Sequence, residues 1–270
     1  MVQSVIDFNP PIGKPELLET NVRRILAPNP SPMTYRGTNT YLVGKGNIGV
    51  VDPGPQSQEH LQAILSAIEP EQKITHILVT HSHIDHSPLA IELSQMTEAK
   101  IYGFGPTGSG QSDVMHDLIA SGYEGGGEGR DEYFQPDVCI KEGDEIIAEG
   151  WKISVLHTPG HFANHVTYTL NDIAFTGDHI MDWASSMVSP PDGDLADFMA
   201  SCRKLQQRDW RVFYPGHGAP VQKPDKRLEW LISHRLGREA QILETLKQAP
   251  MSPRTLAERI YKETSQALLG

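Results

Sequence analysis

The sequence predicts an α+β chain arranged as a four-layer αββα sandwich, two packed sheets with helices on their outer faces. Three observations lead there. Short strand patterns alternate with short helical patterns over most of the chain ahead of residue 226. They fall into two successive series, each with a hairpin pattern and helices of its own. A hydrophobic content of 38% over 270 residues supplies enough apolar surface for a large core.

The elements follow in order. Tyr41–Val43 and Ile48–Val51 are apolar runs separated by Gly-Lys-Gly-Asn, a hairpin pattern. Ser57 to Glu69 places Leu61, Ile64, Leu65 and Ile68 at helical spacing. Ile74–Thr80 reads as a buried strand that runs straight into His81, followed by a helix over Ser87–Glu98 and a strand over Lys100–Phe104. In the second series Trp151–Leu156 alternates, and Val166–Leu170 and Ile173–Thr176 flank an Asn-Asp turn. Asp194 caps a helix whose apolar face is Leu195, Phe198, Met199, Cys202 and Leu205. Arg211–Tyr214 is a last short strand.

Two regions break the pattern. Gly103 to Asp137 is rich in glycine and polar residues and reads as a long, mobile insertion. From Lys226 onward the chain is helical, with a stripe of Leu228, Leu231, Ile232, Leu236, Ala240 and Leu243. A second helix starts at Ser252 with Pro253 in its first turn and carries Leu256 and Ile260. The organisation read from this is a main domain over 1–225 and a helical extension over 226–270.

Charge and composition exclude several classes of function. The net charge is −11, and it is unevenly spread: the extension holds 8 basic and 5 acidic residues, the rest 15 and 29. General attraction to a phosphate backbone is therefore disfavoured. Two cysteines build neither a disulfide scaffold nor a four-cysteine zinc site, and they suit a reducing compartment. Met1–Pro15 has no leader pattern, and no apolar run approaches the length of a membrane span, so a cytoplasmic protein with no membrane association is expected. The 12 histidines are the unusual count.

Thr80 to Ser87 reads T-H-S-H-I-D-H-S, with His81, His83, Asp85 and His86 at the end of a buried strand. Residues two apart in an extended segment point the same way, so His81 and His83 can grip one ion. Asp85 and His86, past the turn, project toward a neighbouring position. Imidazole with carboxylate suits zinc, and iron or manganese less selectively. His157-Thr-Pro-Gly-His161, Phe175-Thr-Gly-Asp178 and Pro215-Gly-His217-Gly each put another ligand-type side chain just after a strand. One edge of a sandwich would collect them all, with Asp178 the natural bridge between two cations.

This set resembles the metallo-β-lactamase superfamily, whose members share the αββα sandwich and the H-x-H-x-D-H signature. The resemblance implies a first metal held by His81, His83 and His161 and a second by Asp85, His86 and His217, with Asp178 bridging. It implies two divalent ions, zinc first and iron or manganese as alternatives. Asn29-Pro-Ser-Pro, Gly37-Thr-Asn-Thr-Tyr41-Leu-Val and Ser233-His-Arg are similar to the β-lactamase-like protein 2 branch, which is related to glyoxalase II. Asp52, in Val51-Asp-Pro-Gly54, matches a position that supports a metal-ligating histidine from behind. Two departures matter. Asp178 stands where secreted β-lactamases often place a cysteine, which disfavours antibiotic hydrolysis. Residues 226–270 correspond to only part of the winged-helix-like module that usually closes members of the nearer branch.

Two cations sharing a water lower its pKa from about 16 toward about 7 and so deliver hydroxide at neutral pH. Asp85 and Asp178 are ligands that can also shuttle the proton, and no separate protein nucleophile is visible. The expected substrate is a small ester, thioester or lactone. The alternatives are an endoribonuclease or phosphodiesterase, a mononuclear-iron sulfur dioxygenase, and a non-catalytic metal-containing binding protein. The remaining signals read more plainly. Gly103-x-Gly105-x-x-Gly108 reads as a wall of the cleft and not as a dinucleotide site. Residues 185–194 read as a turn-rich loop, bordering the cleft or merely connecting. His76, His157, His165 and His179 read as structural, His116 as solvated, and Cys202 as core. His60 and His234 fall on helices with no partner visible, and Cys139 has no assigned role.

Overall fold

The computed structural model of the chain describes residues 8–123, 125 and 129–261. Two compact units divide it, Met1–Asp225 and Lys226–Gly270. In the first unit β1 (Glu16–Glu19), β2 (Val22–Leu26), β3 (Asn39–Val43) and β4 (Asn47–Val51) form an antiparallel run. Then come α1 (Gln58–Ser66), β5 (Lys73–Leu78), α2 (Leu89–Thr97), β6 (Lys100–Gly103), α3 (Asp113–Ala120) and β7 (Val138–Cys139). β5, β6 and β7 continue the sheet in parallel, giving seven strands in chain order. The second sheet holds β8 (Glu145–Ala148), β9 (Trp151–His157), β10 (Val166–Leu170), β11 (Ile173–Gly177) and β12 (Val212–Pro215), in the order β12-β11-β10-β9-β8. α4 (Leu195–Leu205) joins β11 to β12, which pair in parallel.

The period-two pattern decides which face each residue buries. Tyr41, Val43, Val51 and Leu78 of the first sheet meet Ile153, Val155, Tyr168, Phe175 and Tyr214 of the second in one core. Leu42, Val50, Ile77 and Val79 point the other way and pack against Leu61 and Ile64 of α1 and Leu89 and Leu93 of α2. The α+β sandwich anticipated from the two series is the observed architecture.

Several local expectations change. The segment 103–137 carries α3, capped by Ser112, whose Oγ accepts the Met115 amide at 3.3 Å. The segment is also bonded to its surroundings. Gln111 Nε2 donates to the Pro191 carbonyl at 3.2 Å, and the Thr107 hydroxyl donates to Ser82 Oγ at 2.8 Å. Its described residues thus carry a helix and hydrogen bonds to neighbouring loops that the glycine-rich sequence did not announce. The G-x-G-x-x-G run opens no helix either, since α3 starts at Asp113. At Gly103 a Cβ would lie 2.8 Å from the Phe134 ring, so close packing explains that glycine. Leu195, expected on the buried face of α4, is 48% exposed, because it stands at the first position beyond the Asp194 cap.

The second unit holds α5 (Pro224–Gln248) from Lys226 onward, followed by α6 (Pro253–Ile260), whose N-cap is Ser252. Arg238 links them, donating to the Ile260 carbonyl at 3.3 Å while its guanidinium lies 4.3 Å from the Tyr261 ring centre. Leu228 and Leu231 are buried, but Leu236 and Leu243 of the expected stripe are exposed. The short α6 does not cover the stripe's later part. No helix among the described residues is long and apolar enough to cross a membrane.

Candidate metal centre

All seven ligand-type residues named above converge beyond the C-terminal ends of β5, β9, β11 and β12. They form two groups, His81, His83, His161 and Asp178, and Asp85, His86, Asp178 and His217, with ligand-type atoms within 4.8 Å of one another in each. Asp178 belongs to both. In the first group His83 Nδ1 lies 2.9 Å from His81 Nε2 and 3.1 Å from His161 Nε2, and Asp178 Oδ2 lies 3.7 Å from His161 Nε2. In the second, His217 Nε2 is 3.0 Å from Asp85 Oδ2 and 3.3 Å from Asp178 Oδ2. His86 Nε2 is 3.5 Å from Asp85 Oδ2 and 3.4 Å from Asp178 Oδ1.

In His81, His86, His161 and His217 the outer nitrogen is held by an acceptor, which fixes the tautomer. His161 Nδ1–H donates to the Met187 carbonyl at 2.7 Å and His217 Nδ1–H to that of Gly37 at 3.2 Å. Asp52 does more than support one histidine. Its Oδ2 accepts from His86 Nδ1 at 2.9 Å and from the Thr80 hydroxyl at 2.8 Å, and its Oδ1 accepts the Thr80 amide at 2.8 Å. With its own proton committed to Asp52, Thr80 Oγ accepts from His81 Nδ1 at 3.0 Å. One buried carboxylate at the end of β4 therefore orients a ring in each group. Asp52 itself adopts φ +49°, a left-handed conformation uncommon for a non-glycine residue.

The residues fit divalent cations. In the first group His81 and His161 both turn lone pairs toward His83 Nδ1, which can donate to only one of them. Tetrahedral zinc at 2.0–2.1 Å from each nitrogen would separate them by about 3.3 Å, close to what is seen. Burial, then repulsion from neighbouring imidazoles, pushes His81 well below its ordinary range. Burial likewise lowers His161 and takes His83 to about 3, so all three are neutral near pH 7, the form that can ligate a metal. In the second group His86 Nε2 and Asp178 Oδ1 are buried with no hydrogen-bond partner. Burial opposes charge there, but the carboxylates of Asp178 and Asp85 outweigh it, raising His217 to about 9 and His86 well above its usual value. The same imidazoles overcome burial at Asp85 and Asp178 and hold both carboxyls below the usual range. Two anions facing two rings is where a cation is favoured.

The other histidines take structural places. His165 Nδ1 is 3.0 Å from Thr158 Oγ, and His179 lies beside Cys202 and Phe198. His157 stacks on Phe104, and half-buried His76 meets Trp151 edge-on. His60 has the partner that sequence did not show, with its Nε2 2.8 Å from Thr40 Oγ. His116 is exposed on α3, His234 stacks on Trp230, and Cys139 is exposed on β7. Sequence reading missed Thr80, the Met187 and Gly37 carbonyls, and Gly216. Of these only Thr80 and Gly216, each next to a ligand, carried a signal.

Known proteins bear on this geometry. Residues 33–217 match the metallo-beta-lactamase superfamily domain. The Beta-lactamase-like protein 2 homolog of Drosophila melanogaster is 32% identical over 265 residues, covering 93% of this chain and 83% of that protein. An atrochrysone carboxyl ACP thioesterase of Aspergillus fumigatus is 26% identical over 269 residues, 96% of this chain and 76% of that one. A beta-lactamase domain protein from Burkholderia ambifaria has the same fold, with a TM-score of 0.76 and 20% identity over 96% of this chain and 84% of that chain. With the domain matched across the span that carries every residue of both histidine–aspartate groups, the chain belongs to the metallo-beta-lactamase superfamily and is a hydrolase of that fold.

Proposed function

We propose that the centre binds two zinc ions and hydrolyses a small ester, thioester or lactone. The observation that carries this reading is the pair of four-residue histidine–carboxylate groups sharing Asp178. His81, His83, His161 and Asp178 would hold one ion, and Asp85, His86, His217 and Asp178 the other. Bound there, the ions supply Lewis acidity, activating water and polarising a carbonyl. Asp52 keeps His81 and His86 in the ligating tautomer. Asp85, with its side chain 21% exposed against 10% for Asp178, is the carboxylate that substrate meets. It takes the proton of the attacking water and returns it to the leaving thiolate or alkoxide.

The surroundings favour a carbon-rich substrate over a polyanion. The loops that carry the ligands and their supports hold few cations, Arg36, Arg130 and, at the far end of the His217 loop, Lys223, and Arg130 is already paired with Asp192 at 3.1 Å. Ile84, between two ligands, is 53% exposed, and Met187, whose carbonyl holds His161, is 52% exposed. The name of the Aspergillus relative agrees with a thioester.

The test is a panel of a thioester, a lactone, a phosphodiester and single-stranded RNA offered to zinc-loaded protein, with His83→Ala beside it and bound metal counted. Turnover of one carboxylic ester class, at two zinc ions per chain and lost by at least a hundredfold in the variant, is expected. Turnover of RNA alone, or a single iron with oxygen uptake, overturns the reading.

A further inference from the structure

Residues 129–131, at the end of the segment that looked like an insertion, touch the support of both ligand groups. The Ile84 amide donates to the Gly129 carbonyl at 2.8 Å, and Arg130 pairs with His83 as an isolated antiparallel bridge. The Asp131 amide donates to the Ser82 carbonyl at 2.9 Å. The Asp131 carboxylate, in a residue only 8% exposed, accepts from the Ser87 hydroxyl at 2.6 Å and from the Tyr133 amide at 3.2 Å. Ser87 directly follows His86. The Arg130 guanidinium reaches the other way, to Asp192 at 3.1 Å, on the loop whose Met187 carbonyl fixes His161.

We propose that Arg130 and Asp131 are positioning residues for the metal centre: Arg130, through Asp192, sets the His161 side, and Asp131, through Ser87, sets the His86 side. This rests on the two-cation reading above. The physical case is that a metal ligand must be held within a few tenths of an ångström, and the backbone of the H-S-H-I-D-H loop has no regular secondary structure to hold it. A three-residue strip bonded along its length supplies that rigidity. The Arg130–Asp192 pair is shielded, with side chains 22% and 10% exposed, whereas the other partner of Arg130, Glu132 at 3.1 Å, is 61% exposed, so the Asp192 arm is the one that holds the guanidinium against the loop. Supporting partners of this kind typically change metal affinity by about 10–100-fold.

The experiment strips zinc from the full chain with graded chelator and counts ions retained, alongside the melting temperature of the fully stripped protein. His161→Ala identifies the release step belonging to the His81, His83 and His161 group. Arg130→Met and Asp192→Asn are each expected to shift that step about tenfold toward weaker retention, and the double variant no further than either alone. Ser87→Ala, which breaks the Asp131 bond without removing a charge, is expected to shift the other step. Melting of the stripped protein should stay within a few degrees of wild type. If all variants retain both ions as wild type does, or lose both only in proportion to a lower stripped melting temperature, the positioning role is wrong while the two-cation reading stands. If wild type holds no zinc, both fall.

Discussion

Gly216 shows how tightly single atoms are constrained at this centre. A Cβ built there would stand 2.5 Å from Asp178 Oδ1 and 2.6 Å from His86 Cε1, side-chain atoms of two residues in the second ligand group. The backbone at Gly216 is not left-handed, so an alanine is conformationally acceptable and its cost falls on those side chains. Gly216→Ala is therefore expected to keep its circular dichroism spectrum but lose one of two zinc ions and at least a hundredfold in turnover. Gly46→Ala, where a Cβ meets nothing within 4 Å, is the control and should behave as wild type. Full zinc content in Gly216→Ala would show that Asp178 and His86 can shift without consequence. At this scale the ligand side chains were legible because H-S-H-I-D-H packs so much chemistry into six residues. Their supports were not: Met187 and Gly37 act through carbonyls that every residue has, and Asp131 looks like any other acid until the fold brings Ser87 to it.

Among the elements, those with clean periodicity were readable and those carrying charge or glycine were not. The β3–β4 hairpin, β5 and β9–β11 lie where the apolar runs place them. β2 was missed because Val-Arg-Arg-Ile-Leu sets two cations in mid-strand. Both are accommodated by partners from elsewhere, Arg23 donating to the Ala67 carbonyl at 2.6 Å and Arg24 pairing with Glu16 at 2.5 Å. β7 has only two residues, too few for any pattern, and α3 was hidden by the glycines around it. The cap at Asp194 was legible, but its second role was not. Oδ1 accepts the Ala196 amide at 2.8 Å, while Oδ2 accepts the hydroxyl of Ser112, itself the cap of α3, at 2.7 Å. Asp194→Ala should lower unfolding stability by about 1–2 kcal/mol, seen as a lower urea midpoint at unchanged slope, because it removes a cap and leaves Ser112 short of a partner. Asp194→Asn keeps one acceptor oxygen for the Ala196 amide, and its Nδ2–H can donate to the Ser112 hydroxyl oxygen in place of accepting from it, so it should recover most of the loss. Equal losses in the two variants would mean that the carboxylate's charge at the α4 N-terminus, and not its hydrogen bonds, is what matters.

For the molecule as a whole, the centre ties stability to pH and to metal. Without metal, the fold raises His217 from an ordinary 6.5 to about 9, through Asp178 and Asp85 acting against burial, and raises His86 in the same direction. A group whose folded pKa is raised stabilises the protein fully below its unfolded pKa and loses that contribution as pH climbs through the folded one. Metal-free protein should thus weaken between pH 6.5 and about 9, by roughly 3 kcal/mol from His217 alone. On the acid side the effects reverse. His83, lowered to about 3, is stabilising only above its unfolded value, and that contribution fades as pH falls from 6.5 toward 3. With zinc bound, the cations take the place of the protons on His86 and His217, and the decline above pH 6.5 should vanish. Urea unfolding of chelator-stripped and zinc-loaded protein at pH 6.5, 7.5 and 8.5 checks this. The stripped curve should fall and the loaded one stay level, and His217→Asn should flatten the stripped curve. A stripped protein equally stable across that window would mean that His217 is not the proton carrier, and that the second group gathers its ligands by some means other than the Asp85–His217–Asp178 attraction.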